Sequence, residues 1–308
     1  NNLPSGRHLA YHKARAAGGA GLIIFEGIRV HKSSLGRQQG VNGYEAASIP
    51  KFTEIAKAVQ GEGSRLFGQI LHLGRHIDGN FARMASWSAS SIPWTATAPA
   101  PHPMTEKEIK LVIGAHADVA ANLLEAGLDG IELQLAHGHL LQQFLSPIAN
   151  EREDKYGGNL ENRMRIVLET TTAVRQMIGT DHTMGVRISA DEFLKGGLTL
   201  DDMCAVIFKL ASVVQLDFVN VSHSAYHGSY TISTQMADMA FSNQQFRYLT
   251  EAISINLDGL ERKPVIMSVC RYNHVELAED MLATGKADMI GMARAHVADP
   301  NLVNKAYS

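Results

Sequence analysis

The sequence has few cysteines and no long apolar run. Its two cysteines, Cys204 and Cys270, lie far apart in a chain of 308 residues. They form neither a CxxC pair nor the disulfide framework of a small secreted scaffold, so we expect a reducing, cytoplasmic setting. Apolar stretches such as residues 20–25 are too short to span a bilayer, so we expect neither a transmembrane segment nor a membrane partner.

The sequence also lacks an excess of one sign of charge. Its formal net charge is −3 at pH 7, and the charged residues form no long basic or acidic run. Nucleic acids and anionic membranes attract basic patches, so we expect a small-molecule substrate and no nucleic-acid partner. The first residues, NNLPSGRHLAYHKARAAGG, lack the pattern of a signal peptide and look like the middle of a protein. We therefore expect a single domain over residues 1–308 that is cut at both ends.

Short apolar runs alternate with longer amphipathic stretches along the chain. This alternation is typical of parallel βα units rather than of a helical bundle or a β-sandwich. A helical pattern at about residues 7–17 has no strand before it, whereas a closed barrel needs eight strands. The sequence therefore predicts an α/β fold, a (β/α)8 TIM barrel whose first strand is missing from the chain. The seven predicted strands cover residues 20–26, 65–71, 128–135, 183–189, 216–222, 263–270 and 287–292.

An open doubly wound sheet is the alternative fold. That fold usually carries GxGxxG after its first strand, and the sequence contains no such motif. Thr105 followed by Glu108 predicts a capping box at the start of a helix, and Gly127 predicts its end. Residues 78–104, which include both tryptophans, have little periodicity and predict a long loop.

Polar residues follow several predicted strands, which is where barrel enzymes carry their functional residues. Arg187 lies within the apolar run MGVRIS, where an unpaired guanidinium would be strongly destabilising. Either an anionic ligand or a carboxylate on a neighbouring strand would satisfy it. SVCR and IGMAR place Arg271 and Arg294 at the last two strand ends, which is the outline of a phosphate site. Two arginines on solvated loops are the alternative.

The segment GIELQLAHGHLLQQFLSPIANEREDKYGGNLENR, residues 130–163, resembles the old yellow enzyme, dienoyl-CoA reductase and trimethylamine dehydrogenase superfamily. The motifs GQILHLGR, GVRIS and TGKADMIGMARAHVADP agree as well, and in the same order. The resemblance covers essentially the whole chain. It implies an FMN-binding TIM barrel that works as an oxidoreductase.

The resemblance also implies which residues surround FMN. Gln69 and Arg187 would hydrogen-bond the isoalloxazine ring, and Arg187 would stabilise the reduced, anionic flavin. Glu26 and Gly27 would lie beside the ring. Cys270 stands where the family often has glycine. The cofactor-binding residues expected at the last two strand ends are Cys270, Arg271, Gly291, Met292, Ala293 and Arg294.

The substrate side departs from the ene-reductases of this superfamily. Those enzymes present a histidine paired with histidine or asparagine to a substrate carbonyl, followed by a tyrosine that delivers a proton. Here the three places hold Gln134, His137 and His139. Residues 222–241, SHSAYHGSYTISTQMADMAF, instead resemble the dimethylglycine and N-methylproline demethylases. This resemblance implies hydride transfer from an N-methyl carbon to flavin N5, followed by hydrolysis of the iminium to formaldehyde and the demethylated amine.

The expected substrate site combines catalytic residues with an aromatic and histidine lining. Gln134, His137 and Tyr226 are the expected catalytic residues, and the ring of Tyr226 would also face the amine. The other expected lining residues are His72, Trp94, His139, His223 and His227, with His223 or His227 reaching a substrate carboxylate. A purely structural role is the alternative for each histidine, and loop packing is the alternative for Trp94.

Other functions compete with N-demethylation. An NAD(P)H-dependent ene-reductase or a 2,4-dienoyl-CoA reductase-like enzyme is the main rival. A metal-dependent hydrolase is disfavoured because HExxH is absent, so we expect no metal site. A binding protein with an inactive barrel is a third class. The resemblance further implies a 4Fe–4S cluster and a second nucleotide cofactor in a C-terminal extension, an electron-acceptor protein or additional domains, and a homo-oligomer or complex.

Overall fold

The strands of the computed structural model match the sequence pattern closely. The model describes residues 2–36, 40–77, 83–228, 230–243, 245–269 and 271–307. Seven strands correspond to the predicted ones: β1 (Leu22–Arg29), β3 (Arg65–Leu71), β6 (Gly130–Leu135), β7 (Thr183–Ser189), β8 (Phe218–Ser222), β9 (Val265–Ser268) and β10 (Met289–Ile290). Three further strands have only two residues each, too few to show a period: β2 (Val41–Asn42), β4 (Trp87–Ser88) and β5 (His102–Pro103).

Helices connect successive long strands and cover the outside of the sheet. A short 3₁₀ helix, Lys32–Ser34, follows β1. The α-helices are α1 (Gly6–Ala17), α2 (Ser48–Gln60), α3 (Glu106–Glu125), α4 (Leu140–Leu145), α5 (Leu160–Arg163), α6 (Arg165–Ile178), α7 (Leu200–Val213), α8 (Tyr230–Gln235), α9 (Arg247–Leu257), α10 (Val275–Ala283), α11 (Arg294–Ala298) and α12 (Leu302–Ala306). None of the helices in the described ranges is both long and apolar enough to cross a membrane.

The main sheet is parallel and follows the chain. Its strand order is β10-β9-β8-β7-β6-β3-β1-β2, and every pairing is parallel. All residues of β6 and β8 are buried, as expected for strands covered on both faces. The carboxyl ends of parallel strands meet at one edge, so the polar residues that follow them come together at the mouth of the sheet.

The two ends of the sheet approach each other without strand pairing. Among the described residues β10 and β1 are not hydrogen-bonded, and a cavity of about 780 Å³ is lined by residues of both strands and of α1. Outside this gap, α12 contacts the end of α1. The backbone N–H of Asn304 in α12 donates to the Gly18 carbonyl at 3.1 Å, and its side-chain amide donates to Ala17 at 2.9 Å. A Cβ on Gly18 would lie only 1.8 Å from the Pro300 carbonyl oxygen, so this contact requires glycine.

The predicted capping box is found, and the described part of the predicted long loop, residues 83–104, contains one addition; residues 78–82 lie outside the described residues. The Thr105 hydroxyl accepts from the Glu108 N–H, and the Glu108 carboxylate accepts from the Thr105 N–H. Gly127 follows the helix with φ +88°, the left-handed conformation that favours glycine. Within the predicted loop, β4 and β5 pair as a small ribbon. Arg152 fixes this ribbon by donating to the carbonyls of Ala89 and Met104 at 3.0 and 2.7 Å.

Candidate active site

A buried carboxylate links three strands at the mouth of the sheet. Gln69 Nε2 on β3 donates to Glu132 Oε1 on β6 at 2.6 Å, and Asn220 Nδ2 on β8 donates to Glu132 Oε2 at 2.7 Å. Gln69 and Glu132 are also direct register partners. The three side chains are between 0 and 9% exposed, so little water competes for these bonds. They form one polar layer across the inside of the sheet.

A row of unsatisfied polar atoms lies beside this layer. Gln134, Arg187 and Asn220 are successive register partners on β6, β7 and β8. In each, one buried atom has no hydrogen-bond partner in the described part of the chain: Oε1, Nε and Oδ1, respectively. A buried polar atom without a partner costs roughly 1 to 3 kcal/mol, so three in a row indicate a place for a polar ligand. Arg187 and Asn220 both line the cavity between β10 and β1.

The alternative of a simple ion pair for Arg187 finds no support. No ion pair among the described residues includes Arg187. Its positive charge therefore lies at the cavity without a carboxylate in contact. A ligand with an electron-rich or anionic edge would satisfy it.

The last two strand ends carry the expected arginines, which approach the same loop. Arg271 donates to the carbonyl of Phe241 and to Asn243 Oδ1 at 2.8 Å, and Arg294 donates to the carbonyl of Ala237 at 2.7 Å. Arg294 is exposed and is not among the residues that line the cavity, whereas residues 291–293 line it. The arginines thus flank residues 237–243, and the backbone before α11 faces the cavity. Cys270 lies outside the described residues.

These residues fit an FMN. Amide oxygens and a guanidinium stand at the mouth of β6, β7 and β8, as a heterocycle with polar edges requires. Gly27, which was expected beside the ring, lies near Gln69: a Cβ on Gly27 would be 3.7 Å from Gln69 Oε1. Gly291, Met292 and Ala293 line the cavity between β10 and β1 together with Arg187 and Asn220, whereas Gly27, Gln69 and Gln134 are not among its lining residues.

His137 is held firmly next to Gln134. Its Nδ1 accepts from Gln134 Nε2 at 3.2 Å, and its Nε2–H donates to Ser222 Oγ at 2.8 Å. Its φ is +62°, an unusual conformation for a residue other than glycine and one found often at functional sites. Burial, assisted by the positive charge of Arg187, lowers the pKa of His137 well below its usual value of 6.5. The imidazole is therefore neutral at pH 7.

An aromatic cluster lies next to His137. The ring of His76 is 5.4 Å from those of Trp94 and His139 and 5.5 Å from that of Tyr226, centroid to centroid. Burial lowers the pKa of His76 well below its usual value, so this ring is also neutral. His76 Nε2 binds the Tyr226 carbonyl at 3.0 Å and so ties the cluster together.

A buried arginine joins the two loops that carry this cluster. Arg75 donates to the carbonyl of Ile92 at 3.1 Å and to His227 Nδ1 at 2.9 Å, and it is 4% exposed. Because a guanidinium only donates, His227 must accept at Nδ1 and carry its proton on Nε2. Burial lowers the pKa of Arg75 to about 10, which leaves it charged at pH 7. Burial and the charge of Arg75 lower the pKa of His227.

Three expected site residues have other partners. The carboxylate of Glu26 lies 3.3 and 3.1 Å from the Nε2 atoms of His8 and His12 in α1, and its side chain is 54% exposed. A β-bulge between Phe25 and Ile28 interrupts the alternation of side chains along β1. The direction of the Glu26 side chain therefore does not follow from its position in the strand. The structure therefore directs Glu26 to the helix rather than to the mouth.

His72 and His223 also pack into the scaffold. His72 is 2% exposed, accepts from the Gly74 N–H at Nδ1 and binds Ser33 Oγ at 2.8 Å through Nε2. His223 donates to the Thr234 carbonyl at 3.0 Å and stacks on Phe246 with centroids 4.0 Å apart. Burial lowers the pKa of His223 to about 4. Their ring positions match the structural alternative.

Two residues of the site were not selected from the sequence. Glu132 lies two residues before Gln134 in the apolar run GIELQL, so strand alternation places both on one face. The argument used for Arg187, a charge within an apolar strand, would have identified it. His76 follows a turn at Gly74, which has φ +63°, and no period predicts its direction.

No metal-ligand set is found around the histidines that the structure describes. Among the described residues, no group of three or more His, Cys, Asp or Glu side chains could hold a metal ion. His137 and His139 are neighbours, with ring centroids 6.4 Å apart, but they have no carboxylate beside them that would complete a ligand set.

The chain is similar to proteins of known activity over nearly all of its length. It is 35% identical over 303 residues to an N,N-dimethylglycine/sarcosine dehydrogenase of Chromohalobacter salexigens, covering 97% of this chain and 43% of that protein. It is 30% identical over 304 residues to an NADPH dehydrogenase of Bacillus velezensis, covering 97% of this chain and 83% of that protein. The chain thus spans less than half the length of the first relative.

The fold also matches a solved structure. A 2-naphthoyl-CoA reductase complex superposes with a TM-score of 0.92 at 24% identity, over 100% of this chain and 47% of that chain. This likeness, together with the parallel eight-stranded sheet, confirms the predicted α/β barrel fold. The sequence also matches the family model described as NADH:flavin oxidoreductase / NADH oxidase family over residues 1–308. The chain therefore belongs to this family of flavin oxidoreductases.

Proposed function

We propose that the mouth of the barrel binds FMN. Gln69 and Arg187 would hold the polar edge of the ring, with Gly27 beside it. The backbone of residues 291–293, with Arg271 and Arg294, would hold the phosphate. The observation that carries the proposal is the row of unsatisfied atoms on Gln134, Arg187 and Asn220, which FMN would complete. When bound, FMN supplies a two-electron acceptor for the oxidation of a substrate.

We further propose that the substrate is a small N-methylated amino acid or amine, oxidised with loss of the methyl group as formaldehyde. Trp94 and Tyr226, joined through His76, would form an aromatic wall against the N-methyl groups. His137 is neutral and has both ring nitrogens engaged. It adds no positive charge to a site that receives an amine, and it orients Gln134. The amine must be neutral for its lone pair to assist the oxidation.

A substrate carboxylate would bind at His227 rather than at His223. His227 Nδ1 accepts from Arg75, and among the described residues the Nε2–H of His227 has no partner, so it is free for a ligand, and the charge of Arg75 attracts an anion. His223 already uses its Nε2–H on the Thr234 carbonyl. Dimethylglycine, which carries both an N-methyl amine and a carboxylate, matches this combination.

Anaerobic mixing of the FMN-loaded protein with N-methyl amino acids and with enones tests the proposal. Loss of the yellow flavin absorbance with dimethylglycine or a related amine supports demethylation. Rapid bleaching by NADPH and reoxidation by an enone, with no response to any amine, would assign the protein to the reductases instead. His137→Ala should slow the amine half-reaction, and an unchanged rate would remove His137 from the mechanism.

The reductase alternative has its own support. The NADPH dehydrogenase relative matches this chain over most of its own length. By the resemblance, however, Gln134 stands where the ene-reductases have the histidine that activates the carbonyl, and His139 stands where they have the tyrosine that delivers a proton. The geometry around His76 and His227 accounts for an amine with a carboxylate better than for an enone.

Electrons would leave the barrel for an acceptor outside this chain. A 4Fe–4S cluster takes four cysteines, and this sequence has two. Such a cluster and a second nucleotide cofactor would therefore belong to other segments or to a partner. Mass spectrometry and iron analysis of the whole protein, with its absorbance spectrum, would test for them.

A further inference from the structure

Glu132 is the one carboxyl side chain in the polar layer that it forms with Gln69 and Asn220. Its side chain is 0% exposed, and among the described residues no ion pair includes it. It accepts one hydrogen bond from Gln69 and one from Asn220. An uncompensated buried carboxylate is costly, so its retention inside an apolar strand needs a reason beyond packing.

The chemistry of a carboxylate supplies that reason. An ionised carboxylate only accepts hydrogen bonds, whereas an amide has one donating and one accepting end. Gln69 Nε2 and Asn220 Nδ2 both donate to Glu132, so the oxygens of the two amides point away from it. Asn220 Oδ1 is accordingly buried with no partner in the described part of the chain.

The neighbouring amide is oriented in the same way. Gln134 donates its nitrogen to His137 and leaves Oε1 buried and unpartnered among the described residues. The mouth thus presents amide oxygens as acceptors, next to the guanidinium of Arg187 as a donor. This pattern is complementary to a heterocyclic edge in which N–H groups alternate with carbonyl oxygens.

We propose that Glu132 is a positioning residue that fixes the polarity of the Gln69 and Asn220 amides, so that the site selects a ligand edge bearing an N–H donor. This inference rests on the proposed binding of FMN, whose pyrimidine ring carries such an N–H at N3. Glu132 itself need not touch the cofactor. It acts through the two amides.

The substitution Glu132→Gln tests the proposal. The new side chain would keep the shape but could accept from only one amide, so Gln69 or Asn220 would turn its oxygen inward. Fluorescence titration would give the dissociation constants of FMN and of 3-methyl-FMN, which lacks the N3–H, for each variant. The wild type should prefer FMN by about tenfold or more, the effect of an unsatisfied buried acceptor. Glu132→Gln should reduce this preference to less than about threefold.

The ratio of the dissociation constants of 3-methyl-FMN and FMN, rather than the affinity for FMN alone, separates a positioning role of Glu132 from a general loss of folded structure. Glu192→Gln is the matched control, since Glu192 is similarly buried but accepts from Gln142, Ser146 and Leu198 in the scaffold. It should alter the thermal midpoint and leave the preference intact. A wild-type preference retained in Glu132→Gln, or an equal loss in both variants, would overturn the proposal.

A second variant covers the case in which Glu132→Gln does not fold. Gln69→Met keeps Glu132 but removes one oriented amide and its hydrogen bond to the carboxylate, and it should also reduce the preference for FMN over 3-methyl-FMN. An unchanged preference would show that amide polarity does not select the ligand. Failure of the wild type to bind either flavin would contradict the proposed cofactor instead.

Discussion

Two buried glutamates show how a polar site differs from a polar scaffold in the same protein. Glu132 at the mouth and Glu192 in the loop after β7 are 0 and 2% exposed. Glu192 accepts from Gln142 Nε2, Ser146 Oγ and the Leu198 N–H at 2.7 to 2.8 Å. Burial raises its pKa, and these three donors oppose the rise.

The two glutamates differ in whether the surrounding side chains keep buried atoms that have no hydrogen-bond partner. Around Glu192, each donor belongs to a loop or helix that the carboxylate holds in place. Around Glu132, one of the two donors, Asn220, retains a buried atom with no partner among the described residues, and so do the adjacent Gln134 and Arg187. The first group is complete within the protein. The second is complete only with a ligand, which is why buried charge alone does not identify a site.

The largest effect should come from removing the scaffold carboxylate. Glu192→Leu leaves three donors without an acceptor, which should lower the free energy of unfolding by about 3 kcal/mol or more. Urea denaturation measures this loss. The FMN affinity of the folded protein should change by less than about threefold. A large affinity change without a stability change would reverse the roles assigned to the two glutamates.

Acid should destabilise the scaffold through His116 on α3. This residue is fully buried and donates to the Val112 carbonyl, and burial lowers its pKa to about 4. Because its pKa is lower in the folded protein than in the unfolded chain, its effect is absent above pH 6.5. Stability is lost as the pH falls from about 6.5 to 4, by about 3 kcal/mol from this residue. His116→Leu should flatten the pH dependence of urea unfolding in this window, and an unchanged slope would contradict the assignment.

Removing the guanidinium at the mouth should act on binding and not on folding. Arg187→Met should weaken FMN binding by roughly 10- to 100-fold, the effect of a lost charged hydrogen bond. The stability of the FMN-free protein should stay the same or rise, because the variant removes a partly buried charge that has no ion-pair partner among the described residues. Fluorescence titration and thermal unfolding measure the two quantities. Loss of stability with unchanged affinity would place Arg187 in the scaffold.

The smallest effect concerns the aromatic wall. Tyr226→Ala should raise the KM for dimethylglycine by about fivefold, in line with the loss of one aromatic contact to an amine. Tyr226→Phe keeps the ring and should change the KM by less than about twofold. Steady-state kinetics with dimethylglycine distinguish the two. A large loss of kcat in Tyr226→Phe would instead assign the hydroxyl a role in proton transfer.

The sequence predicted the barrel well because buried strands produce apolar runs. Arg187 was found for the same reason, as a charge interrupting such a run, and the structure places it at the cavity. Glu132 was accessible to the same argument and was missed. The two-residue strand β2 has no period and could not be predicted.

Two expected site residues contact the scaffold for local physical reasons. Glu26 contacts α1 because a bulge shifts the register of β1 and two histidines of α1 lie beside its carboxylate. His76 rather than His72 contacts Trp94 and Tyr226, because the turn at Gly74, and not strand alternation, decides the direction of these side chains. Contacts between distant segments decided both cases.

Equilibrium titration of the FMN-free chain with FMN tests the central claim most directly, namely that unsatisfied atoms on three adjacent strands are completed by a flavin. Saturable one-to-one quenching of flavin fluorescence, accompanied by a rise in the thermal midpoint, is the predicted result. Absence of saturable binding, or binding that Arg187→Met leaves unchanged, would contradict the claim.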